Sequence, residues 1–421
     1  MKVAFILNDL QLSGGVGVVV EHACRLSRLD GWDVALVLSR QQEEPSWRGF
    51  EHLPHLHVCS AQQALGERYD VALATWWETT FTLFRLNAAR YAYFVQSLED
   101  RFYHHDHPGR LGAALTLDLP VAFITEAQWI AQTLSQLRPD ALCFVVRNGI
   151  DKDVFAPLQR VERNDHGPLR ILVEGYPSVW FKHVPEAIEA TRAMGEPHQL
   201  IAVSGDPAGV RALGVRDVLG PLSQREMADV YARTDVLLKL SSVEGMFGPP
   251  LEAFHRGATC LVTPVSGHDE YVKHGFNGLI ADWDDLRGTA RQLDLLARDR
   301  ELLHRLRCNA LETASDWPDW EQASQLMAAA LLEIRSSPPP DAVASSARLL
   351  SDLRGGLAIY DGHLRERRRF AASAMRMEKL IGRLRRSVIL RRLLALRRFR
   401  LARLAARPVR PLTRRIKRLL A

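Results

Sequence analysis

Residues 236–252 read VLLKLSSVEGMFGPPLE and contain the clearest structural signal in the chain. The first five of them form a short, mostly apolar run that predicts a buried strand. A loop with two glycines follows, and Pro249 and Pro250 suit the first turn of a helix, where the N–H groups they lack would have no partner. The stretch therefore predicts one strand–loop–helix unit of an α/β fold.

The same alternation runs through two parts of the chain. In the first part, a helix is predicted over 18–29 after the glycine-rich turn at 14–17, and the predicted strands are 3–7, 34–38, 71–75, 92–95, 121–125 and 143–147. In the second part, strands are predicted at 169–174, 199–204, 236–240 and 259–263, with helices at 184–194, 225–233, 249–256, 285–297 and 299–314. Strands that alternate with helices predict parallel sheets with right-handed crossovers.

Composition divides the 421-residue chain into three predicted regions. A polar stretch at 151–167 separates a Rossmann-like domain at 1–155 from a second one at 156–335, and consecutive prolines at 338–340 end the folded body. Residues 341–421 are rich in Ala, Leu and Arg and are predicted to form a basic helical tail. Hydrophobic residues at 47% and charged residues at 25% exclude a wholly disordered or collagen-like chain.

Charge is unevenly distributed between the body and the tail. Residues 363–421 contain 19 Arg and 2 Lys against 2 Glu, whereas the rest of the chain has 34 basic and 47 acidic residues. An acidic body with a strongly basic tail indicates an anionic partner, which could be a membrane, a nucleic acid or an acidic polymer.

Cysteine usage and the absence of long apolar runs predict a location. The five cysteines are dispersed, as expected of buried thiols in a reducing compartment. Neither a secretory signal nor an apolar run of the roughly 18 residues that a membrane span needs is visible. We therefore expect a protein that is cytoplasmic, either soluble or bound at a membrane surface.

Glu244 and Glu252 are the leading candidates for a binding site. Glu244 lies on the predicted loop and Glu252 about one turn into the predicted helix, so both can face the crevice at the carboxyl ends of the strands. Carboxylates there can accept hydrogen bonds from sugar or ribose hydroxyls, and free N–H groups at the helix start favour phosphate. The alternative is an ordinary helix start with a solvated pair of glutamates.

Several motifs together resemble one family, the retaining GT-B glycosyltransferases of family 4. They are Glu244-x7-Glu252, GATCLVT at 257–263, GHDE at 267–270, GFNG at 275–278, NGID at 148–151, and Asp316-Trp317 with Trp320-Glu321. The resemblance implies two Rossmann-like domains that face a cleft. It also implies a nucleoside diphosphate sugar as donor, transfer with retention, and no metal or other cofactor.

The resemblance also implies roles for individual residues. Glu252 would bind the ribose hydroxyls, Glu244 would contact the donor sugar, and Lys182 would bind the diphosphate; Glu244 and Lys182 are the expected catalytic residues. The arginine that the family usually has before this lysine is absent. Either Lys182 acts alone, or another basic residue replaces the missing arginine. The full expected donor set is Gly14, Gly15, Gly175, Lys182, Glu244, Gly245, Met246, Phe247, Gly248 and Glu252. The alternatives are a solvated lysine at 182 and a simple tight turn at 14–15.

The acceptor side is expected on the N-terminal domain. Gln96 stands where many family members have a histidine, and residues 93–103 resemble rhamnosyltransferases that build bacterial surface polysaccharides. Trp76 and Trp77 follow a strand end and would either line an acceptor groove or pack in the core or at the domain interface. Glu99 follows the next strand. The HHDH run at 104–107 is interpreted as a polar loop, and no metal site is expected.

The basic tail at 363–421 has three interpretations: a helix at an anionic membrane surface, a nucleic-acid-binding tail, or a helix docked on the acidic body or a partner. The family context favours the membrane, because acceptors of such enzymes are often lipid-linked, and nucleic acid is not expected. The predicted function is sugar transfer, with rhamnose or another hexose, to a growing and lipid-linked surface glycan. The alternatives are a sugar-nucleotide epimerase or hydrolase, and a noncatalytic scaffold that binds membrane or nucleic acid.

Overall fold

A computed structural model describes residues 1–11, 13–40, 55–158, 160–162, 167–339 and 342–386. Residues 1–349 form one compact unit, and the second unit begins at Leu350. Within the first unit, two parallel sheets each have helices packed on them, and this confirms the expected α/β architecture with two Rossmann-like lobes.

The N-terminal lobe contains a seven-stranded parallel sheet in the order β3-β2-β1-β4-β5-β6-β7. Its strands are β1 (Lys2–Leu7), β2 (Asp33–Leu38), β3 (His57–Ser60), β4 (Arg68–Ala74), β5 (Asn87–Val95), β6 (Ala122–Thr125) and β7 (Cys143–Val145). Its helices are α1 (Gly14–Leu26), α2 (Ala61–Ala64), α3 (Thr80–Leu83), α4 (Pro108–Thr116) and α5 (Gln128–Leu137). The strand order reverses between β1 and β4, which opens a crevice at the carboxyl ends of these strands.

The C-terminal lobe contains a six-stranded parallel sheet in the order β10-β9-β8-β11-β12-β13. Its strands are β8 (Leu169–Glu174), β9 (His198–Val203), β10 (Asp217–Leu219), β11 (Val236–Lys239), β12 (Thr259–Val262) and β13 (Gly278–Ile280). The helices that follow are α6 (Val184–Arg192), α7 (Pro207–Ala212), α8 (Gln224–Ala232), α9 (Gly248–His255), α10 (Leu286–Arg298), α11 (Arg300–Ser315) and α12 (Trp320–Ser336). Here the order reverses between β8 and β11, so the loops after these two strands diverge around a crevice.

Local sequence explains where the elements begin. In α9, Pro249 and Pro250 occupy the first turn as predicted. Helix α1 begins directly after Ser13, whose hydroxyl accepts a hydrogen bond from the Val16 backbone N–H at 3.2 Å. The central strands are buried on both faces, and this explains why they were visible as continuous apolar runs.

Helix α12 returns to the N-terminal lobe. Its residues Met327, Leu331 and Ile334 are buried in the same core as Val3 and Phe5 of β1. The chain therefore crosses between the lobes twice, and the two crossings touch where the Ile150 N–H donates to the Pro318 carbonyl at 3.1 Å. The predicted boundaries 1–155, 156–335 and 341–421 remain predictions, although all but the last residue of α12 lies within the second range and the helix completes the first core.

The described part of the tail is one long helix, α13 (Ala342–Arg386). Residues 387–421, which make up most of the basic segment at 363–421, lie outside the described residues. None of the described helices combines the length and the apolar character that crossing a bilayer requires.

Candidate active site

The loops after β8 and β11 bring a cluster of charged side chains to the crevice of the C-terminal lobe. Glu174 ends β8, Lys239 ends β11, and Lys182 lies on the connection that leads to α6. Glu244 lies on the loop after β11 and Glu252 lies in α9. The cluster therefore occupies the point where the strand order reverses, the usual ligand position of an open α/β sheet.

Lys182 and Glu244 form the centre of this cluster. Lys182 Nζ donates to both carboxylate oxygens of Glu244 at 2.8 Å, and Lys239 Nζ lies 3.8 Å from Glu244 Oε1. Burial raises the pKa of Glu244, but the charges of Lys182 and Lys239 outweigh burial and hold that pKa below its ordinary value. Burial lowers the pKa of Lys182, and the Glu244 charge opposes only part of this effect. The two predicted catalytic residues thus meet as a desolvated ion pair.

Lys239 connects this ion pair to Glu174, whose charge acts on Glu252. Its Nζ donates to Glu174 Oε1 at 2.7 Å, and the Tyr231 hydroxyl donates to Glu174 Oε2 at 3.3 Å. Burial lowers the pKa of Lys239, but the Glu174 and Glu244 charges outweigh it and raise that pKa. Burial next to Glu174 raises the pKa of Glu252 to about 8. Glu252 is therefore subject to two opposing charges: the carboxylate of Glu174 raises its pKa, and the ammonium group of Lys239 lowers it.

Lys239 and Glu174 were not among the residues predicted for the site. A signal for Lys239 was available, because it is the one charged residue in the apolar run at 236–240, and its side chain is only 4% exposed. Such a residue is expected to be paired when it is buried. Lys239 is also a second cation beside Glu244, the partner of Lys182. The sequence left open whether Lys182 acts alone or another base replaces the family's missing arginine.

The glycines of the expected donor set lie in different surroundings. Gly175 follows Glu174 with φ +128°, a left-handed conformation that favours glycine, and Lys182 Cβ lies near it. Gly248 is the first residue of α9, at the N-terminal end that favours anions. Met246 is partly exposed, whereas the Phe247 side chain is fully buried in the core of the C-terminal lobe. Phe247 can therefore offer a ligand its backbone only.

The N-terminal lobe faces this cluster through Gln96 and the first turn of α1. The sequence predicted a turn at 14–17 and a helix only from 18, but Ser13 caps the helix and Gly14 is its first residue. A Cβ on Gly15 would lie 3.2 Å from Gln96 Oε1, and that oxygen is buried with no hydrogen-bond partner among the described residues. A Cβ on Gly245 would overlap the Gln96 carbonyl oxygen. The structure thus brings Gly15, Gln96 and the loop of Glu244 together, whereas a Cβ on Gly14 would meet open space.

The remaining acceptor-side candidates form a second group on the N-terminal lobe. Glu99 Oε2 accepts a hydrogen bond from the Trp77 backbone N–H at 2.6 Å, and burial raises the pKa of Glu99 well above its ordinary value. The Trp76 ring stacks on Phe102 with a centroid distance of 5.8 Å, and Phe102 in turn lies 5.1 Å from the ring of Phe181. Both tryptophans therefore have packing partners, and an aromatic chain links Trp76 to the residue before Lys182.

Glu126 is a further buried residue that the sequence analysis missed. It follows β6, is 5% exposed, and accepts hydrogen bonds from the Met246 N–H and from Asn148 Nδ2, both at 2.7 Å. Burial raises the pKa of Glu126 to about 7. Its position next to the end of the predicted strand 121–125 was a usable signal, because carboxyl ends of strands converge on the crevice.

No three His, Cys, Asp or Glu side chains are grouped as a metal ion would require in the portion of the chain that the structure describes. In the run at 104–107, the His104 ring stacks on Trp180 at 4.6 Å, and His107 Nδ1 accepts the Gly109 N–H at 3.0 Å. His104 therefore packs against a residue of the C-terminal lobe, and His107 caps α4.

Part of the C-terminal lobe matches a known family. Residues 214–313 match the model of the family described as "Glycosyl transferases group 1". The N-acetyl-alpha-D-glucosaminyl L-malate synthase of Bacillus anthracis is 36% identical over 94 residues, which are 22% of this chain and 25% of that relative. The chain thus matches a quarter of the length of this curated relative.

Solved structures share the fold over a larger part of the chain. HepE of Anabaena, in complex with UDP and glucose, is similar with a TM-score of 0.61 and 17% identity over 79% of this chain and 100% of its own. Sucrose-phosphate synthase of Thermosynechococcus elongatus is similar with a TM-score of 0.63 and 14% identity over 79% of this chain and 98% of its own. These likenesses identify the fold as GT-B, and with the family match they support the resemblance to group 1 glycosyltransferases.

Proposed function

We propose that this protein is a glycosyltransferase that moves a sugar from a nucleoside diphosphate sugar to a hydroxyl group of a growing surface glycan, with retention of the anomeric configuration. The observation that carries the proposal is the cluster of Lys182, Glu244, Lys239 and Glu252 at the strand-order reversal of the C-terminal lobe. The complexes of HepE with UDP-glucose and with UDP and glucose support a donor of this class.

The charges of the cluster suit a diphosphate leaving group. Lys182 and Lys239 supply positive potential in a buried place, where it stabilises developing negative charge more strongly than in water. An incoming diphosphate would compete with Glu244 for Lys182, and Glu244 would then turn its oxygens toward the donor sugar hydroxyls. Glu252 would accept hydrogen bonds from the ribose, and the α9 start at Gly248 would face the phosphates.

The sugar and the acceptor are proposed from the resemblance. The motif at 93–103 favours rhamnose or another hexose, and the family context favours a lipid-linked acceptor glycan. A sugar-nucleotide hydrolase or epimerase of the same fold would consume the donor without an acceptor. A noncatalytic scaffold would have no use for a buried Lys182–Glu244 pair, because burying charges costs free energy unless they serve another purpose.

The test begins with thermal shifts against a panel of nucleoside diphosphate sugars, because a ligand at 100 times its Kd stabilises by about 2.7 kcal/mol. The stabilising donor is then assayed with and without glycan acceptors, and NMR of the product reports the anomeric configuration. We expect acceptor-dependent product, and we expect Glu252→Ala to weaken donor binding in calorimetry. The exposed Glu189→Gln serves as a matched control. Donor consumption that ignores the acceptor would favour the hydrolase or epimerase.

We further propose that residues 363–421 bind an anionic membrane surface and hold the enzyme at the cytoplasmic face of the inner membrane. In the described part, α13 exposes Arg368, Arg369 and Arg376 together with Phe370 and Met375. Each basic residue near such a surface contributes about 1 kcal/mol. Cosedimentation with phosphatidylglycerol vesicles should fall when these three arginines are changed to Glu and when salt is raised, and neutral vesicles should bind little. Equal binding to neutral vesicles would contradict the proposal.

A further inference from the structure

Three consecutive residues of the loop after β11 are bound through their backbone by side chains of the other lobe. Ser97 Oγ donates to the Glu244 carbonyl at 3.2 Å, and Trp129 Nε1 donates to the Gly245 carbonyl at 3.1 Å. Glu126 Oε1 accepts the Met246 N–H at 2.7 Å. The N-terminal lobe thus fixes the backbone from which the Glu244 side chain extends toward Lys182.

Gly245 makes this close approach possible. A Cβ at this position would overlap the Gln96 carbonyl oxygen and would lie 2.6 Å from Glu126 Oε1. Only a residue without a side chain lets the loop lie against the N-terminal lobe here. The Glu126 carboxylate is therefore in direct contact with the backbone of residues 244–247, which we call the donor loop.

Glu126 also touches the segment that joins the lobes. Its Oε2 accepts from Asn148 Nδ2 at 2.7 Å, and the Asn148 carbonyl accepts from Trp317 Nε1 at 2.9 Å. Asn148 lies in the first crossing between the lobes, and Trp317 lies just before the second. One carboxylate therefore links the donor loop to both crossings, so a change in lobe separation must alter its contacts.

We propose that Glu126, assisted by Ser97 and Trp129, is a positioning residue that places Glu244 only when the two lobes are closed. The inference rests on the proposed function. It assigns Glu126 no contact with the substrate: its effect is transmitted through the Met246 N–H to the backbone beside Glu244. In an open arrangement, the three hydrogen bonds are lost, and the loop is free to move away from Lys182.

Two substitutions of Glu126 separate positioning from folding. Glu126→Ala removes both hydrogen bonds, so we expect kcat to fall by about 100-fold, the typical effect of misplacing a reacting group by about 1 Å. The donor Kd should rise much less than kcat falls, because Lys182, Lys239, Glu174 and Glu252 all belong to the C-terminal lobe and only the loop of Glu244 is loosened. Glu126→Gln should recover most of kcat. Its amide oxygen can accept from Met246, and its Nε2 can donate to Asn148 Oδ1 after that amide rotates, since this oxygen has no partner among the described residues.

Hydrogen exchange tests the inference without relying on activity. In the substrate-free protein, the amides of 244–247 should exchange faster in Glu126→Ala than in wild type, while those of α6 stay unchanged. The exposed carboxylate variant Asp30→Asn should match wild type in exchange and in kinetics. If Glu126→Ala does not fold, Ser97→Ala and Trp129→Phe each remove a single hydrogen bond and should give the same local effect.

The outcomes distinguish the inference from the proposed function. Wild-type exchange at 244–247 in all of these variants would overturn the inference even if the enzyme transfers sugar. Equal losses of kcat and donor affinity would also overturn it, because they would indicate a direct or general structural role. Faster exchange at 244–247 in a protein that transfers no sugar would support the contact between the lobes and reject the proposed reaction.

Discussion

Lys182 Nζ stands 2.8 Å from both carboxylate oxygens of Glu244, so each group occupies the other's principal hydrogen-bonding positions. Their side chains are only 25% and 10% exposed, so water compensates little if the pair is broken. A ligand with two phosphates can replace Glu244 as the partner of Lys182. In the absence of a ligand, Glu244 therefore neutralises the charge of Lys182 and occupies the position that a phosphate group would take.

Lys182→Ala tests this relationship. The change leaves Glu244 with Lys239 at 3.8 Å as its remaining cationic neighbour. We expect kcat to fall by about 10²- to 10³-fold, as when one stabilising donor is removed from an active site. Steady-state transfer kinetics provide the measurement, and the exposed Lys273→Ala is the matched control. Turnover at the wild-type rate in Lys182→Ala would reject the site assignment.

Glu252→Gln should change how stability depends on pH. Burial next to Glu174 raises the pKa of Glu252 from 4.5 to about 8, so between these values the folded protein keeps a proton that the unfolded chain has lost. The contribution of Glu252 to the free energy of unfolding therefore declines as pH rises through this window. Because Gln cannot ionise, the Tm of the variant minus that of wild type should increase with pH across the same window. Differential scanning fluorimetry measures this difference, and a difference that does not change with pH would contradict the raised pKa of Glu252.

Gly245→Ala should lower kcat strongly, although the substitution adds only one methyl group. The added methyl group would overlap the Gln96 carbonyl oxygen, so either the loop or the whole lobe has to move. We expect a fall in kcat with both lobes still folded, as judged by circular dichroism and by donor binding to the C-terminal lobe. At Gly66, the nearest neighbour of a Cβ is 3.9 Å away, so Gly66→Ala is a control that should behave like wild type. Full activity in Gly245→Ala would show that the close approach is not needed.

Trp76→Ala addresses the acceptor side. Trp76 ends an aromatic chain that runs through Phe102 to Phe181, and aromatic faces suit the apolar faces of sugars. If the acceptor glycan stacks here, its KM should rise by about tenfold, equivalent to about 1.4 kcal/mol, with donor Kd unchanged. Trp283, 46% exposed on the C-terminal lobe, provides a tryptophan control in Trp283→Ala. If Trp76→Ala leaves the acceptor KM unaltered, the ring serves packing only.

The sequence predicted the elements whose signal is local. Strand 169–174 was predicted with the bounds of β8, and the helix at 249–256 coincides with α9 within one residue. The strands β3, β10 and β13 were missed. Each lies at the edge of its sheet, and β3 and β10 bury only one residue each, so neither forms a continuous apolar run. Glu244 and Lys182 were selected from motifs, and the structure brings them into contact.

What the sequence could not predict depends on contacts between distant segments. Glu126 and Met246 are 120 positions apart, and no local pattern indicates that a carboxylate after β6 meets a backbone N–H after β11. The return of α12 to the first lobe was hidden for the same reason. Its apolar residues indicate a buried face but do not identify the surface that buries it.

The course of α12 limits how the two halves can be exchanged with those of related enzymes. A chimera made with one cut near residue 155 would separate Met327, Leu331 and Ile334 from the core they complete around β1. Recombination would therefore need two junctions, one in each crossing, so that the last helix of the body travels with the first lobe. The two lobes are in this sense not independent modules along the gene, although each has its own sheet.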